Sequence, residues 1–360
     1  ATVADKYPLP RIESNLEQLQ GSLYYSALDA ASAYMTIPVS QRSKRYLAFV
    51  TPFGLFTFAR MPFGAKNSGP VYSRFVDKVI SKLNSQCVVV YIDDIIVHSL
   101  TLEQHLEELT RVLQAHREAG IKLRASKTHL IHDSINYLGY KVSPEGVAMI
   151  DSYVDKIMEW PVPSTRKDLN TFLGFTGYYR SFIADYSRLT NEMNAAKTAE
   201  KFEWTQTMDR KFTELKKRFA EKPIRAYPDY EEKAEPFQLH VDFSCENVGA
   251  VLSQVQDGQE RLIGVAGRKT TRYEKNYHST KGELAAVLYG LRKFEHILRF
   301  KKFTLWTDNS SITWLQTAKR PRGIIYRWLS ELQSFEFDIR HKPGKANVAA
   351  DALSRSNHMD

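Results

Sequence analysis

The sequence predicts an α+β protein with a β-sheet in its first part, a helical middle and a second sheet in its last part. Two patterns support this prediction. Over residues 1–145, strand-like and helix-like segments follow one another as strand, helix, two strands, helix and strand. Over residues 237–360, three strands precede a long helix and a further strand. The 360 residues suffice for two or three domains with cores of their own.

Composition narrows the class of protein. The hydrophobic fraction of 43% is typical of a folded chain, and a net charge of +9 favours a polyanionic partner without establishing one. Cys87 and Cys245 have no Cys or His nearby at zinc-ligand spacing, so we expect two reduced, buried thiols of an intracellular protein. No apolar run approaches membrane-spanning length and no signal peptide opens the chain, which predicts no membrane partner.

The segment Val88–Ser99 reads VVVYIDDIIVHS, with Asp93 and Asp94 between two runs of β-branched and aromatic residues. Such runs favour strands, and the polar pair favours a tight turn, so we expect a hairpin with two carboxylates at its tip. Adjacent carboxylates repel each other unless water or a cation screens them. Taken alone, a solvated turn is the simpler interpretation, because Asp is a common turn residue.

Two strand-like segments precede this hairpin in the chain. Asp29 ends a strand-like run within residues 21–39, where it could equally cap a turn or a helix. Tyr34 follows five residues later, and core packing is its simplest explanation. Residues 46–64 alternate apolar and polar side chains around a turn at Thr51–Gly54, which predicts a second hairpin.

Two helices are predicted in this part of the chain. The first spans Asn67–Lys82, with an apolar face formed by Val71, Phe75 and Val79. The second follows Thr101, whose spacing to Gln104 fits a capping box, and it stops at Gly120. Its predicted apolar stripe consists of Leu102, Leu106, Leu109 and Leu113.

A last strand over Asn136–Val142 completes a βαββαβ-like order. This order brings the ends of central antiparallel strands together. It can therefore place Asp29 beside Asp93 and Asp94.

The middle of the chain is helical. A helix within Thr165–Ser187 has its apolar residues at Leu169, Phe172 and Leu173, and we expect Gly174 and Gly177 to break it. Tyr178, Tyr179 and Arg180 follow, and they either contact a nucleic-acid backbone or pack between helices. The proline-rich and charged segment Glu221–Pro236 is the clearest linker.

The last part carries four acids at the ends of predicted elements. Asp242 and Asp308 end strands, Glu283 lies in a helix over Thr280–Leu298, and Asp351 lies in a helix over Ala346–Arg355. Each has a simpler explanation: the aspartates could cap turns or be surface charges, and Glu283 has capping-box spacing to Thr280. The four together are harder to explain in this way.

Several motifs resemble those of a known family. In chain order, LDAASAY, MPFG, YIDD and LGY resemble the motifs of a reverse transcriptase palm, and the resemblance is closest to gypsy-like (Metaviridae) LTR retrotransposons. YPLPRI, GFTGYYRSFI and FEW support that choice. VDFS, KGELAAV, WTDN and HKPGKANVAADALSR resemble the ribonuclease H domain of the same elements. The resemblance covers nearly the whole chain.

The resemblance implies a fold and a function. A palm with truncated fingers would occupy residues 1–145, a helical thumb 146–200, a connection segment 201–236 and a ribonuclease H-like α/β domain 237–360. The expected activities are RNA-directed DNA synthesis and degradation of RNA in RNA/DNA hybrids. The implied partners are an RNA template, a DNA primer, dNTPs and an RNA/DNA hybrid, with protease and integrase in the same polyprotein. A cytoplasmic virus-like particle or the nucleus is the expected location.

The family also assigns metal-binding, catalytic carboxylates. They are Asp29, Asp93 and Asp94 in the palm and Asp242, Glu283, Asp308 and Asp351 in the ribonuclease H domain. Each site would hold two Mg²⁺ ions, for which Mn²⁺ is a possible substitute. Carboxylates suit this hard cation, and both reactions would be phosphoryl transfers.

Other residues receive roles from the same resemblance. Tyr34 would select deoxynucleotides, Phe63 and Gly64 would contact template or nucleotide, and Lys127 would lie near the triphosphate unless it is a plain surface lysine. His341 would assist phosphate chemistry or product release, although a loop histidine is more often a bystander. The expected nucleic-acid contacts are Leu138, Gly139 and Tyr140 for the primer and Tyr178 and Arg180 for the duplex.

The sequence departs from the family pattern in three places. The fingers motif with a Lys and an Arg for the triphosphate has no match, Ala33 replaces a usual Gly, and Phe243 replaces a usual Ala. An alternative is therefore a ribonuclease H-active fragment whose palm only binds nucleic acid. A non-enzymatic nucleic-acid binder is a third hypothesis, against which the acids in both sites argue.

Overall fold

A computed structural model describes residues 2–307 and 324–341. It divides into two units, Ala1–Gly146 and Val147–Asp360. The segments predicted as thumb, connection and ribonuclease H domain thus share the second unit, and the boundaries among them remain predictions. Among the described residues, no helix combines the length and the apolar character needed to cross a membrane.

The first unit contains four α-helices and eight strands among its described residues. The helices are α1 (Ile12–Gln18), α2 (Gln41–Lys44), α3 (Ser68–Ile80) and α4 (Leu102–Glu118). The strands are β1 (Tyr24–Asp29), β2 (Ala48–Thr51), β3 (Gly54–Thr57), β4 (Val88–Tyr91), β5 (Asp94–Ser99), β6 (His129–His132), β7 (Ile135–Tyr137) and β8 (Tyr140–Ser143). A ninth strand, β9 (Gly146–Met149), spans the boundary between the units.

The main sheet of the first unit has the strand order β4-β5-β1-β6, and β1 runs antiparallel to both of its neighbours. Its elements follow along the chain as β1, α3, β4, β5, α4 and β6, which agrees with the predicted βαββαβ order. The last strand of this sheet is β6, however, and the single strand predicted over Asn136–Val142 is wrong, because that segment turns at Leu138–Gly139 and forms β7 and β8 of a separate sheet. The core between sheet and helices includes Leu28, Tyr72, Val76, Ile95 and Val112. The second predicted hairpin is also present, as β2 and β3.

The buried face of α4 differs from the predicted leucine stripe. Only Leu109 of that stripe is buried, and Leu102, Leu106 and Leu113 are exposed. The face that packs on the sheet consists instead of His105, Leu109, Val112 and His116. Histidine can be buried here because the sheet supplies partners: Ser26 Oγ and Ser99 Oγ lie 2.7 and 2.9 Å from the two ring nitrogens of His105.

The start of α4 confirms half of the predicted capping box. Thr101 accepts a hydrogen bond from the backbone N–H of Gln104, but the Gln104 side chain donates to Cys87 Sγ instead of returning to the cap. Cys87 is half-buried and Cys245 is exposed, so the prediction of two buried thiols is wrong for Cys245. Cys245 lies two residues after the end of a strand.

The second unit contains eight α-helices and five strands among its described residues, apart from β9. The helices are α5 (Asp151–Glu159), α6 (Arg166–Tyr178), α7 (Tyr186–Leu189), α8 (Asn191–Ala196), α9 (Gln206–Ala220), α10 (Ser279–Lys293), α11 (Glu295–Leu298) and α12 (Ile324–Leu332). The strands are β10 (Phe237–Phe243), β11 (Asn247–Gln256), β12 (Gln259–Lys269), β13 (Phe303–Thr307) and β14 (Phe337–His341). The sequence did not predict α12 or β14.

Helix α6 continues to Tyr178, so the expected break at Gly174 and Gly177 is wrong. A complete capping box between Thr165 and Asp168 starts the helix, and Leu169, Phe172 and Leu173 bury its inner face as expected. Tertiary packing of that face outweighs the roughly 1 kcal/mol that a glycine costs inside a helix.

The sheet of the second unit has the order β12-β11-β10-β13-β14. Its pairs are antiparallel from β12 to β10 and parallel from β10 to β14. Helix α10 packs on the core face of this sheet through Leu284, Val287, Leu288 and Leu291. The proline-rich segment before β10 packs as well: Ala226 is buried, and its N–H donates to the carbonyl of Leu262 in β12 at 2.7 Å.

Candidate active sites

The predicted carboxylate hairpin is formed by β4 and β5. Tyr91 pairs with Asp94 across a two-residue turn, so Asp93 lies in the turn and Asp94 is the first residue of β5. Ile92, the other turn residue, has a φ of 58°. A left-handed conformation is costly for a β-branched residue, and such strain persists only where the surrounding structure holds it. The turn is therefore tightly constrained.

Asp29 reaches this turn from the neighbouring strand. It is the last residue of β1 and the direct antiparallel partner of Asp94. The Cβ atoms of such partners lie about 4.5–5.5 Å apart. The topology thus brings Asp29 to the carboxylate hairpin, as the βαββαβ order predicted.

The electrostatics of the site show the effect of this crowding. The pKa of Asp94 is raised to about 6, first by burial and then by the charges of Asp93 and Asp29, while Lys127 opposes the shift. A carboxylate in such a position gains from any added positive charge. The site therefore favours binding of a cation.

Two cationic side chains already lie beside Asp29. Lys127 Nζ is 3.8 Å from one carboxylate oxygen and Arg124 Nε is 3.8 Å from the other. Backbone hydrogen bonds hold their segment in place, from Arg124 N–H to the Asp29 carbonyl at 2.9 Å and from Ala31 N–H to the Lys122 carbonyl at 2.7 Å. Lys127 was predicted to lie near the triphosphate, but Arg124 was not predicted, and its only signal in the sequence is its position three residues before Lys127 in KLRASK.

The donor set suits a hard divalent cation, although the side chains are not arranged around one. Within residues 2–307 and 324–341, no group of three or more His, Cys, Asp or Glu side chains has a metal-binding arrangement. Burial and then the neighbouring charges of Asp93 and Asp29 nevertheless raise the pKa of Asp94, and a bound cation would relieve this condition. These three acids are the residues that would hold Mg²⁺.

Aromatic side chains form one wall of the same site. Tyr34 is half-buried, with its ring centroid 5.1 Å from that of Phe63 and 5.7 Å from that of Tyr72. Burial raises the pKa of Tyr34, and the nearby charge of Asp93 adds to the increase. Phe63 is exposed and precedes Gly64, which has a φ of 81°. The predicted nucleotide-contacting residues Tyr34, Phe63 and Gly64 are thus placed together beside the carboxylates.

The predicted primer-holding motif is a hairpin between β7 and β8. Tyr137 pairs with Tyr140 around Leu138 and Gly139, whose φ angles are 48° and 82°. Two consecutive positive φ values are typical of a type I′ turn, which matches the twist of the flanking strands. Tyr140 is buried, so this motif presents its turn residues rather than its second tyrosine.

Two of the four predicted ribonuclease H acids are described. Asp242 is exposed near the end of β10, and Glu283 is buried in α10 with 4% of its surface exposed. The capping-box explanation for Glu283 is wrong, because the N-cap of α10 is His278 and not Thr280. A buried carboxylate needs a compensating environment, so its position favours a functional role.

The two acids are joined through their sequence neighbours. A Cβ placed on Gly282 would lie 2.1 Å from Cε1 of Phe243, so the ring of Phe243 rests directly on the backbone of Gly282. This contact sets the residue after Asp242 against the residue before Glu283. The substitution of Phe243 for the usual Ala therefore depends on a glycine in α10.

The remaining predicted site residues in this part of the chain are only partly described. His341 is the last residue of β14, exposed and paired in register with Thr307, the residue before Asp308 in sequence. Asp308, Asp351 and the helix predicted over Ala346–Arg355 lie outside the described residues.

The thumb residues separate into exposed and packed positions. Tyr178 and Arg180 are exposed, as a surface for nucleic acid requires. Tyr179 is buried with 2% exposure and packs against Tyr153 and Phe182. Packing between helices is therefore the correct interpretation for Tyr179.

Comparison with known proteins identifies two domains in this chain. Residues 1–142 match the family model for reverse transcriptase (RNA-dependent DNA polymerase), and residues 232–335 match the RNase H-like domain found in reverse transcriptase. This chain belongs to the reverse transcriptase family of retrovirus-related Pol polyproteins. The predicted α+β architecture, a palm and helical thumb followed by a ribonuclease H-like domain, is confirmed for this reverse transcriptase chain.

Retrotransposon polyproteins are among its relatives, which confirms the predicted gypsy-like resemblance. The Pol polyprotein from transposon 297 of Drosophila melanogaster is 33% identical over 98% of this chain and 33% of its own length. The transposon Tf2-3 polyprotein of Schizosaccharomyces pombe is 32% identical over 97% of this chain and 26% of its own length. The chain thus spans about a third or less of the relatives it matches.

Solved structures of foamy viral protease-reverse transcriptase share the fold. A complex with dsDNA gives a TM-score of 0.81 at 21% identity, covering 96% of this chain and 72% of the other. A complex with an RNA/DNA hybrid gives a TM-score of 0.77 at 20% identity, covering 95% of this chain and 47% of the other.

Proposed function

We propose that this reverse transcriptase chain is an RNA-directed DNA polymerase that also degrades the RNA strand of RNA/DNA hybrids. The observation that carries the proposal is the pairing of Asp29 with Asp94 beside the strained turn at Ile92–Asp93. This arrangement concentrates carboxylates at the end of a sheet, where phosphoryl transfer needs negative ligands and positive counter-charge.

The proposed polymerase reaction joins the primer 3′ oxygen to the α-phosphorus of a dNTP and breaks the bond to pyrophosphate. Two Mg²⁺ ions at Asp29, Asp93 and Asp94, with Mn²⁺ as a substitute, would neutralise charge on the phosphate oxygens. The raised pKa of Asp94 means that this carboxyl is partly protonated near pH 6. Synthesis should therefore weaken as the pH falls through this value, because the neutral acid is a poorer cation ligand.

The cations and aromatic rings around the acids have distinct proposed roles. Lys127 and Arg124 point to Asp29 from a segment fixed by backbone hydrogen bonds, and they would attract the triphosphate. Tyr34, fixed between Phe63 and Tyr72, would exclude a ribose 2′-hydroxyl. The turn residues Leu138 and Gly139 would hold the primer end, and the buried Tyr140 would support the turn.

The proposed ribonuclease activity rests on the second unit. Water would attack a phosphodiester of the RNA strand, the P–O3′ bond would break, and the 2′-hydroxyl would distinguish RNA from DNA. Asp242 and Glu283 would be ligands for a second pair of Mg²⁺ ions, together with Asp308 and Asp351. The buried position of Glu283 supports this assignment. His341, at the end of β14, would assist product release.

Nucleic-acid partners have further support. The foamy viral structures of the same fold hold dsDNA and an RNA/DNA hybrid, and this chain carries a net charge of +9. Tyr178 and Arg180 offer an exposed aromatic and cationic pair on the thumb. Since the relatives are polyproteins, we propose protease and integrase as products of the same precursor.

The experiment is primer extension on an RNA template with Mg²⁺ and dNTPs, run beside cleavage of an RNA/DNA hybrid. We expect extension by the parent, none by Asp93→Asn, and hybrid cleavage by both. Glu283→Gln should show the reverse pattern. Hybrid cleavage without extension by the parent would contradict the polymerase assignment and support the alternative, a ribonuclease whose palm only binds nucleic acid.

A further inference from the structure

Asn15 is a buried polar residue to which neither proposed reaction assigns a role. It lies in α1 and is 2% exposed. Its side-chain amide donates to the carbonyl of Val90 at 3.0 Å and to the hydroxyl of Tyr137 at 3.1 Å. Both amide hydrogens are therefore used, and they join two strands that are far apart in sequence.

The first partner belongs to the strand that enters the catalytic turn. Tyr91 and Asp94 flank the two-residue turn and form a hydrogen-bonded pair, so Val90 falls in a non-hydrogen-bonded pair with Ile95. The carbonyl of Val90 consequently points away from β5. Because β4 is an edge strand of the described sheet, this carbonyl has no neighbouring strand, and Asn15 takes that place.

The second partner belongs to the strand that enters the primer-holding turn. Tyr137 is 2% exposed and directly precedes Leu138 and Gly139. A buried hydroxyl requires a partner, and the amide of Asn15 is one. Asn15 is thus hydrogen-bonded to Val90, which lies two residues before the Ile92–Asp93 turn. It is also hydrogen-bonded to Tyr137, which lies one residue before the Leu138–Gly139 turn.

We propose that Asn15 is a positioning residue that fixes the Ile92–Asp93 turn relative to the Leu138–Tyr140 hairpin, and through them the primer 3′ hydroxyl relative to the palm acids. This inference rests on the polymerase function proposed above. Reacting atoms must approach to about 3–3.5 Å, and a misplacement of about 1 Å can reduce the rate on the order of 100-fold. A rigid amide with two fixed partners has the geometry for this task, because moving either turn breaks one hydrogen bond.

The test compares Asn15→Leu, Tyr137→Phe and the double variant Asn15→Leu/Tyr137→Phe. Asn15→Leu keeps the volume but leaves the Val90 carbonyl and the Tyr137 hydroxyl without the amide. Adding Tyr137→Phe removes that hydroxyl, so the double variant should regain thermal stability relative to Asn15→Leu. We expect single-turnover extension of a bound primer to be reduced about 10- to 100-fold in both Asn15 variants, with primer–template affinity within about twofold of the parent.

A control separates positioning from stability. Ser22→Ala removes another buried hydrogen bond of the same unit, to His98 Nδ1 at 2.8 Å, and His98 lies near the end of β5 that is remote from the Ile92–Asp93 turn. It should lower the melting temperature and leave the single-turnover rate unchanged. If the double variant recovers the rate along with its stability, or if Ser22→Ala slows extension as much as Asn15→Leu, Asn15 has only a structural role.

A second readout does not depend on polymerase activity. Backbone amide exchange in residues 88–94 and 135–142 should be faster in both Asn15 variants and unchanged in Ser22→Ala, since Asn15 connects those segments. Faster exchange in a chain that extends no primer would uphold the connection and reject the polymerase function. Unchanged exchange, together with a normal rate in Asn15→Leu, would overturn the inference itself.

Discussion

The contact between Phe243 and Gly282 provides the sharpest test of the ribonuclease H-like unit. In Gly282→Ala, the new Cβ would lie 2.1, 2.3 and 2.6 Å from three ring carbons of Phe243. The ring must move, and overpacking of this kind costs about 1–3 kcal/mol. Alanine recovers about 1 kcal/mol of helix propensity over glycine, so the net loss of folding free energy should be up to about 2 kcal/mol.

The matched control is Gly174→Ala in α6, where nothing lies within 4 Å of the added Cβ. There the propensity gain acts alone, so we expect stabilisation by about 0.5–1 kcal/mol. In a Phe243→Ala background, Gly282→Ala should likewise stabilise, because the obstructing ring is gone. Chemical denaturation of the parent and the four variants Gly282→Ala, Gly174→Ala, Phe243→Ala and Phe243→Ala/Gly282→Ala measures these differences.

The same variants connect packing with chemistry. Phe243 follows Asp242 and Gly282 precedes Glu283, so movement of the ring should disturb both acids and slow hybrid cleavage. Polymerisation should be unaffected in the same tube. If Gly282→Ala stabilises the chain as much as Gly174→Ala does, the described contact is incorrect and the dependence of Phe243 on a glycine must be abandoned.

Three further predictions concern the palm. Asp94→Asn should abolish primer extension. It should also stabilise the chain above pH 6 by about 1–2 kcal/mol after allowance for solvent screening, because it removes a carboxylate whose pKa is raised to about 6. A gain in stability that persists below pH 4 would contradict this origin. Burial lowers the pKa of His98 to about 4, so about 3 kcal/mol of the free energy of unfolding should be lost as the pH falls from 6.5 to 4. Unfolding of His98→Gln, measured over the same pH range, should lack this loss. The Tyr72 hydroxyl is buried with no hydrogen-bond partner among the described residues, so Tyr72→Phe should raise the unfolding free energy by about 1 kcal/mol in urea, and a decrease would indicate a missed partner.

Local patterns in the sequence predicted most of the elements. The runs around Asp93 and Asp94 became β4 and β5, and the strand ending at Asp29 became β1, because alternation and β-branched residues determine strand character locally. The order of elements then predicted that Asp29 and Asp94 would meet, since few topologies are open to a βαββαβ chain. Motifs supplied the rest of the site residues.

The predictions of helix faces and helix ends were wrong where residues distant in sequence decide how the helix packs. The leucine stripe of α4 was a reasonable apolar face, but Ser26 and Ser99 make burial of His105 favourable and turn the helix to a different face. Gly174 and Gly177 were expected to end α6, which instead continues because its opposite side is packed. The capping-box spacing of Thr280 to Glu283 had no meaning once α10 began after His278.

The sequence alone thus determined most of the strands and helices, their order, and the identity of the acids, because these depend on side-chain type and spacing along the chain. Only the tertiary structure decided which charges and amides surround those acids. Arg124 beside Asp29, Asn15 between Val90 and Tyr137, and Phe243 on Gly282 each join residues separated by tens of positions. Such contacts depend on distances in space, which no local pattern records.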